Sequence, residues 1–163
     1  MSTKKTTVIV ADSHVIFRHG IKNTLAKTSD IQVISEAESA DSLLIQIDFL
    51  QPDIVILDLL LPGKGCFIIL SESLLKFPNL IFIIISSFDD QTYADRSLSL
   101  GAKAFLKKDN LLQTLNQCLH AVIQNKLFVS SSVFNQNISN NPYDSKTSAN
   151  IEQPIFSDTS KLK

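Results

Sequence analysis

Short runs rich in apolar residues recur along the chain, and each is followed by a segment with apolar residues at helical spacing. The run at 54–57 has no alternation and is rich in β-branched residues, as strands buried on both faces are. The runs occupy residues 8–11, 31–34, 54–57, 80–85 and 103–106. Strict alternation of strands and helices predicts a parallel sheet with helices on both faces. We therefore expect an α/β fold with a doubly wound five-stranded parallel sheet.

Residues that favour helix ends mark several boundaries. Asp41 and Asp109 are predicted to cap the second and fifth helices, and either Asp89 or Asp90 the fourth. Gly101 is expected to end the fourth helix, since glycine readily adopts the backbone conformation that follows a helix.

Composition limits the class of protein. Of the 163 residues 44% are hydrophobic, enough for one domain with a full core. The net charge of −1 gives no general attraction to nucleic acid or to an anionic membrane. No apolar run approaches the ~18 residues that span a bilayer. Cys66 and Cys118 lie in apolar helical patterns and are expected to be reduced, as in a cytoplasmic protein.

The pattern changes near the end of the chain. Residues 129–163 are rich in serine and asparagine and have no sustained period. We predict one domain over 1–128, followed by a flexible polar tail or linker remnant over 129–163.

Polar side chains stand at the carboxyl ends of four predicted strands: Asp12, Asp58, Ser86 and Lys108. In a doubly wound sheet these ends meet at one edge. Asp58 can attack phosphorus as a nucleophile, and Asp12 can help to hold a magnesium ion. Ser86 and Lys108 can bind phosphoryl oxygens. A single aspartate there more often caps a loop, but four such residues together predict a phosphoryl-transfer site.

At these residues the chain resembles the receiver domains of two-component response regulators, in particular the NarL/FixJ class. The resemblance covers roughly 6–127 and implies a flavodoxin-like (βα)5 receiver fold. The segments that carry it are 10–14, 18–20, 52–58, 61–63 and 101–109.

The resemblance implies a role for each of these residues. Asp58 would accept a phosphoryl group from a sensor histidine kinase, with Lys108 and Ser86 completing the site. Ser86 and Phe105 would form the switch, with Ser86 turning toward the phosphoryl group and Phe105 following to a buried position. The output would be a protein-interaction surface used in transcriptional regulation, and no independent enzyme activity is expected.

The implied metal is Mg²⁺, held by Asp12, Asp58 and the backbone carbonyl of Leu60. Ser13 stands where the family usually has a second acidic residue, so it would be a weak ligand and the affinity for Mg²⁺ should be low. The alternative, which stays open here, is a pseudo-receiver that binds its partner without phosphorylation. A phosphatase with an aspartyl-phosphate intermediate is disfavoured, because it would need an aspartate at the place of Leu60.

The predicted partners are a sensor histidine kinase and either a second copy of the chain or a protein effector. The class normally continues into a LuxR-type helix-turn-helix, and 129–163 shows neither a second helix pair nor a basic stripe. We therefore expect no direct DNA binding and no membrane contact. The expected location is the cytoplasm, with the plastid stroma as a second possibility because isoleucine, asparagine, serine and lysine are frequent.

Other residues near the predicted site depart from the family or invite another interpretation. Leu60 and Phe88 are apolar where relatives often position a hydrolytic water, which predicts a long-lived phosphoryl group. Cys66 replaces a common glycine and would be strained if its φ were positive. His14 and His19 are expected to be exposed and not to bind a metal.

Overall fold

The computed structural model describes residues 4–88 and 90–130, and its elements follow the predicted alternation. In chain order they are β1 Thr6–Ala11, α1 Val15–Leu25, β2 Ile31–Ala37, α2 Ala40–Leu50, β3 Ile54–Asp58, α3 Cys66–Lys76, β4 Ile81–Ser86, α4 Gln91–Ser99, β5 Ala104–Lys107, a 3₁₀ turn Lys108–Asn110, α5 Leu111–Ile123 and β6 Phe128–Val129.

All strand pairs are parallel, and the sheet order is β2-β1-β3-β4-β5-β6. The first five strands have the 2-1-3-4-5 order of flavodoxin-like sheets, so the predicted doubly wound fold is confirmed. This order reverses direction between β1 and β3, and the carboxyl ends of those two strands therefore border a crevice.

The sixth strand was not predicted. The amide of Phe128 donates to the Lys103 carbonyl, and the amide of Ser130 donates to the Phe105 carbonyl at 3.1 Å. Two residues are too few to give a sequence pattern, so only the pairing with β5 reveals this strand. The predicted domain boundary falls inside β6, and residues 131–163 of the predicted tail lie outside the described residues.

The core has two layers, one on each face of the sheet. One layer joins α1 and α5 to alternate residues of the strands, with Ile21, Leu115 and Leu119 among its buried members. The other joins α2, α3 and α4 to the remaining strand residues, including Phe82 and Phe105. Both faces of the central strands are therefore covered, which explains their nearly continuous apolar sequences.

Two predicted helix caps were wrong. Ser39, two residues before Asp41, is the N-cap of α2, and its side chain accepts a hydrogen bond from the amide of Ser42. Asp109 lies inside the 3₁₀ turn, and Asn110 occupies the position before α5. Asp41 lies in the first turn of α2, which favours a carboxylate as the cap position does, whereas Asp109 lies one residue before the N-cap of α5.

The fourth helix begins and ends as predicted. The Asp90 carboxylate accepts a hydrogen bond from the Thr92 amide at 2.8 Å, which makes it the N-cap; Asp89 lies outside the described residues. Gly101 follows the helix with a φ of +107°, a conformation that favours glycine.

The loop after β3 shows why Cys66 is tolerated. Gly63 supplies a positive φ of +103°, and Cys66 begins α3. Within the described part of the chain, Gln51 and Asn125 are the non-glycine residues with positive φ. Cys66 is therefore not strained.

In residues 4–88 and 90–130, every helix is too short or too polar to cross a bilayer.

Gly101→Ala should destabilise the domain. A β-carbon at this position would lie 2.7 Å from Cδ1 of Leu74, and the positive φ disfavours any side chain. We expect a loss of about 1–2 kcal/mol in the free energy of unfolding, measured by urea denaturation. The matched control is Gly65→Ala, where φ is −59° and no atom lies within 4 Å of the added carbon. Equal losses in both variants would contradict this account.

Candidate functional site

The register of the two central strands places two carboxylates side by side. Ala11 of β1 pairs with Leu57 of β3, and the next residue on each strand is an aspartate. Asp12 and Asp58 are both buried, with 0% and 3% of their surface exposed. The crevice between β1 and β3 therefore holds two negative charges away from bulk water, as the sequence predicted from the strand ends.

Lys108 lies between these carboxylates. Its Nζ is 2.5 Å from Oδ2 of Asp12 and 3.2 Å from Oδ1 of Asp58. The lysine is itself buried, and the ring of Phe17 covers its ammonium group at 4.4 Å from the ring centroid. The neighbouring Lys107 is directed elsewhere and forms an ion pair with Asp109 at 3.2 Å. The structure therefore places Lys108 in the site, as the spacing predicted.

The environment of Asp58 raises the pKa of its carboxyl group. Burial is the largest cause, and the charge of Asp12 adds to it. The charge and hydrogen bond of Lys108 act in the opposite direction, as does a hydrogen bond from the backbone of Leu60. Because desolvation prevails, the carboxylate is more basic than an aspartate in water. A more basic oxygen is a better nucleophile, provided that it is ionised.

The second oxygen of Asp12 is held by His14. The backbone amide of His14 donates to Oδ1 of Asp12 at 2.8 Å, and the ring nitrogen Nδ1 lies 3.0 Å from the same oxygen. The histidine side chain is 64% exposed, so the predicted exposure is correct. Its contact with Asp12 was not predicted, because a turn of only two residues leaves no periodic pattern.

A further layer of charge supports the backbone at Asp12. Arg18 donates from Nη1 to the carbonyl of Asp12 at 2.7 Å and pairs through Nε with Glu36. Lys22 contacts the other oxygen of Glu36 at 2.6 Å, and this hydrogen bond is the main reason that the pKa of Glu36 is lowered. Sequence reasoning missed this layer because β2 extends three residues beyond the predicted run and so brings Glu36 level with α1.

Ser86 ends β4, and Phe105 lies on the neighbouring strand β5 in the core layer of α2, α3 and α4. Ser86 is buried, and its hydroxyl oxygen accepts a hydrogen bond from the Phe88 amide at 2.9 Å. Phe105 is fully buried and pairs across the sheet with Ile84, two residues before Ser86. The two predicted switch residues are therefore neighbours on one face. Phe105 already occupies the buried position that was expected only after phosphorylation.

The donor set at the crevice suits a divalent cation. Within the described residues, the side chains that could hold an ion together are those of Asp12, His14 and Asp58, whose ligand atoms all lie within 4.8 Å of one another. Buried carboxylate oxygens are hard ligands of the kind that Mg²⁺ requires. Ser13 is exposed at the edge of the crevice, with its hydroxyl 3.4 Å from Nδ1 of His14.

The thiol of Cys66 is not a competing nucleophile. Burial raises its pKa to about 12, with a further contribution from the charge of Asp58. Cys118 is also free and buried, and burial alone raises its pKa to about 12. Both thiols are thus protonated at neutral pH, and the prediction of reduced cysteines is confirmed.

Comparison with known proteins identifies the class. Residues 8–120 match the model of the response regulator receiver domain, so most of the chain is covered. The chain belongs to the family of response regulator receiver domains.

Two relatives show the degree of similarity. YhcZ of Bacillus subtilis, an uncharacterized transcriptional regulatory protein, is 31% identical over 102 residues, which are 63% of this chain and 48% of the relative. The response regulator GacA of Pseudomonas syringae is 26% identical over 145 residues, or 84% of this chain and 68% of the relative. The chain therefore spans about half to two thirds of the length of these relatives, which are NarL/LuxR-family response regulators as the resemblance implied.

Solved structures agree with the fold. The isolated REC domain of RcsB from Salmonella enterica serovar Typhimurium, determined with the phosphomimetic BeF3-, superposes with a TM-score of 0.75 at 25% identity and covers 80% of this chain and 97% of that one. The non-phosphorylated receiver domain of RcsB from Escherichia coli has a TM-score of 0.72 at 26% identity, covering 78% of this chain and all of that one.

Replacing Asp58 with asparagine should stabilise the metal-free domain in a pH-dependent way. A raised pKa means that the contribution of Asp58 to stability is present below its ordinary pKa of 3.8 and is lost as the pH rises through the raised value. The gain in unfolding free energy of Asp58→Asn over wild type should therefore be small in acid and grow toward neutral pH. Urea denaturation of both proteins at several pH values, with a chelator present, measures this difference in unfolding free energy. A difference that is constant with pH, or that shrinks toward neutrality, would contradict the assignment.

Proposed function

We propose that this domain accepts a phosphoryl group on Asp58 from a sensor histidine kinase and thereby changes a protein-interaction surface in a transcriptional response. The observation that carries the proposal is the buried Lys108 ammonium held between Asp12 and Asp58. The relatives named as transcriptional regulatory proteins support the output, and the receiver family supports the kinase.

The geometry of the crevice supports this transfer. Oδ1 of Asp58 is occupied by Lys108, so the other carboxylate oxygen attacks the phosphorus of a kinase phosphohistidine. A bond forms between this oxygen and phosphorus, the phosphorus–nitrogen bond breaks, and the imidazole leaves with the electron pair. Lys108 then neutralises a phosphoryl oxygen in place of the carboxylate charge. Mg²⁺ held by Asp12, Asp58 and the carbonyl of Leu60 would neutralise the remaining negative charge on the phosphoryl group.

The switch uses the hydroxyl of Ser86. In the present conformation this hydroxyl accepts a hydrogen bond from the Phe88 amide. A phosphoryl group on Asp58 would offer a charged acceptor for the O–H of Ser86. Rotation of the side chain toward it would break the hydrogen bond from the Phe88 amide and free the loop before α4. Because Phe105 is already buried, the change would be carried by this loop and α4 and not by an inward movement of the ring.

Phosphorylation by acetyl phosphate, read by intact mass with and without MgCl₂, tests the proposal. Wild type should gain one magnesium-dependent phosphoryl adduct, and Asp58→Asn should gain none because the attacking oxygen is absent. Asp48→Asn, a surface aspartate paired with Lys76, is the matched control and should behave as wild type. Ser13→Asp should react at lower MgCl₂ concentration, because it adds a charged ligand.

The same experiment distinguishes a phosphorylated receiver from a pseudo-receiver that binds its partner without phosphorylation. A wild-type protein that gains no adduct, while Ser13→Asp does, would be a pseudo-receiver whose site lacks only its metal. Failure of both proteins to react would leave a binding module of receiver fold and would refute the proposed phosphotransfer.

The phosphoryl group should be long-lived. Leu60 and Phe88 are 61% and 47% exposed and offer no polar group to orient an attacking water near Asp58. Leu60→Asn should shorten the lifetime of the phosphorylated protein about tenfold, equivalent to about 1.4 kcal/mol in the barrier. Loss of the adduct with time, followed by mass spectrometry, measures the lifetime. The control is Leu75→Asn, which changes an exposed leucine near the end of α3. Equal rates of adduct loss in both variants would show that Leu60 does not affect the lifetime of the phosphoryl group.

A further inference from the structure

We propose that His14 is a metal ligand of this site and that the site takes a divalent transition ion such as Mn²⁺ in preference to Mg²⁺. The inference rests on the metal site of the proposed function, and it concerns a residue that neither the family resemblance nor the sequence pattern assigned to that site. The observation is the pairing of the His14 ring nitrogen with a carboxylate oxygen of Asp12.

The spacing of these two atoms is that of neighbouring ligands on one ion. In an octahedral site with bonds of about 2.1 Å, adjacent ligand atoms lie about 3.0 Å apart. Nδ1 of His14 and Oδ1 of Asp12 are separated by 3.0 Å. The carboxylate of Asp58 offers a third ligand atom within 4.8 Å of both. One nitrogen and two oxygens can therefore bind the same ion after only small side-chain rotations.

The histidine is also held in place before an ion arrives. Its backbone amide donates to Oδ1 of Asp12 at 2.8 Å, which fixes the turn. Its ring makes a T-shaped contact with Phe17, with the ring centroids 6.2 Å apart and an angle of 86° between the planes. Phe17 in turn covers Lys108. Because the ring is oriented by these contacts, little conformational entropy remains to be lost when it binds a metal.

The charge of the site explains the choice of metal. Asp12 and Asp58 carry two negative charges, and the ion pairs with Lys108 offset one of them. Ser13 adds a neutral hydroxyl and no charge, so attraction to a hard ion such as Mg²⁺ is weak. An imidazole nitrogen adds affinity without charge, but it does so for transition ions and hardly at all for Mg²⁺. The substitution at Ser13 therefore shifts the site toward the metals that imidazole favours.

A different role for His14 predicts the opposite result. If Nδ1 serves only as a hydrogen-bond donor to Asp12, it competes with any ion for that oxygen. Removing the ring would then raise the affinity for Mn²⁺ and Mg²⁺ alike. The sign of the change upon mutation thus distinguishes a ligand from a competitor.

The test is calorimetric titration of the whole chain with MnCl₂ and with MgCl₂, without a phosphodonor. His14→Phe keeps a ring against Phe17 and removes the nitrogen. We expect its Mn²⁺ affinity to fall about tenfold while its Mg²⁺ affinity changes less than about twofold. His120→Phe, on the exposed side of α5, is the matched control and should bind both ions as wild type does. Unchanged or raised Mn²⁺ affinity in His14→Phe would overturn the inference.

Electron spin echo spectroscopy of bound Mn²⁺ gives a second readout. Nitrogen modulation from a directly bound imidazole should be present in wild type and in His120→Phe and absent in His14→Phe. If His14→Phe does not fold, His14→Asn takes its place in both experiments. A wild-type spectrum without nitrogen modulation would refute the inference that His14 binds the metal. Because no phosphodonor is used, a protein that binds Mn²⁺ through His14 but never reacts with acetyl phosphate would refute the proposed function alone.

Discussion

The site depends on one buried electrostatic arrangement, the ammonium group of Lys108 between the carboxylates of Asp12 and Asp58. Two negative charges in a crevice shielded from water would repel each other strongly, and burial by itself would favour protonation. The lysine offsets part of this cost and keeps the carboxylates within reach of a common ligand. Each carboxylate keeps one oxygen that forms no ion pair with Lys108, Oδ1 of Asp12 and Oδ2 of Asp58, and these oxygens are the ones open to a metal ion or a phosphoryl group.

The fold supplies this arrangement through parallel register. Parallel strands of similar length end at the same edge, so residues that follow the last paired positions of β1 and β3 become neighbours although they are 46 positions apart, as residue numbers 12 and 58 show. Apolar side chains on both faces of these strands hold the register, because a slip by one residue would turn the carboxylates into the opposite layer of the core. The chemistry of the site is thus protected by the packing beneath it.

In the proposed switch, Ser86 and Phe105 connect the site to α4. Ser86 is bonded to the loop before α4, and Phe105 packs in the layer that includes α4. Ser130, at the end of β6, is bonded through its amide to the Phe105 carbonyl and through its hydroxyl to the Lys107 amide. The carboxyl end of β5 therefore lies at the site, and its edge pairs with β6. A shift of β5 would therefore alter the contacts of the site and those of β6.

The sequence alone determined the order of elements, the parallel sheet and the identity of the four polar residues at the strand ends. These follow from local patterns: continuous apolar runs are buried on both faces, and the topology brings their ends together. Tertiary structure alone decided what depends on distant or very short segments. The caps Ser39 and Asn110, the strand β6 and the layer from Arg18 to Glu36 are of this kind. The contact of His14 with Asp12 also could not be predicted from the sequence. The direction of a side chain in a tight turn is set by the backbone torsions and by neighbouring side chains, and the periodicity of the sequence determines neither.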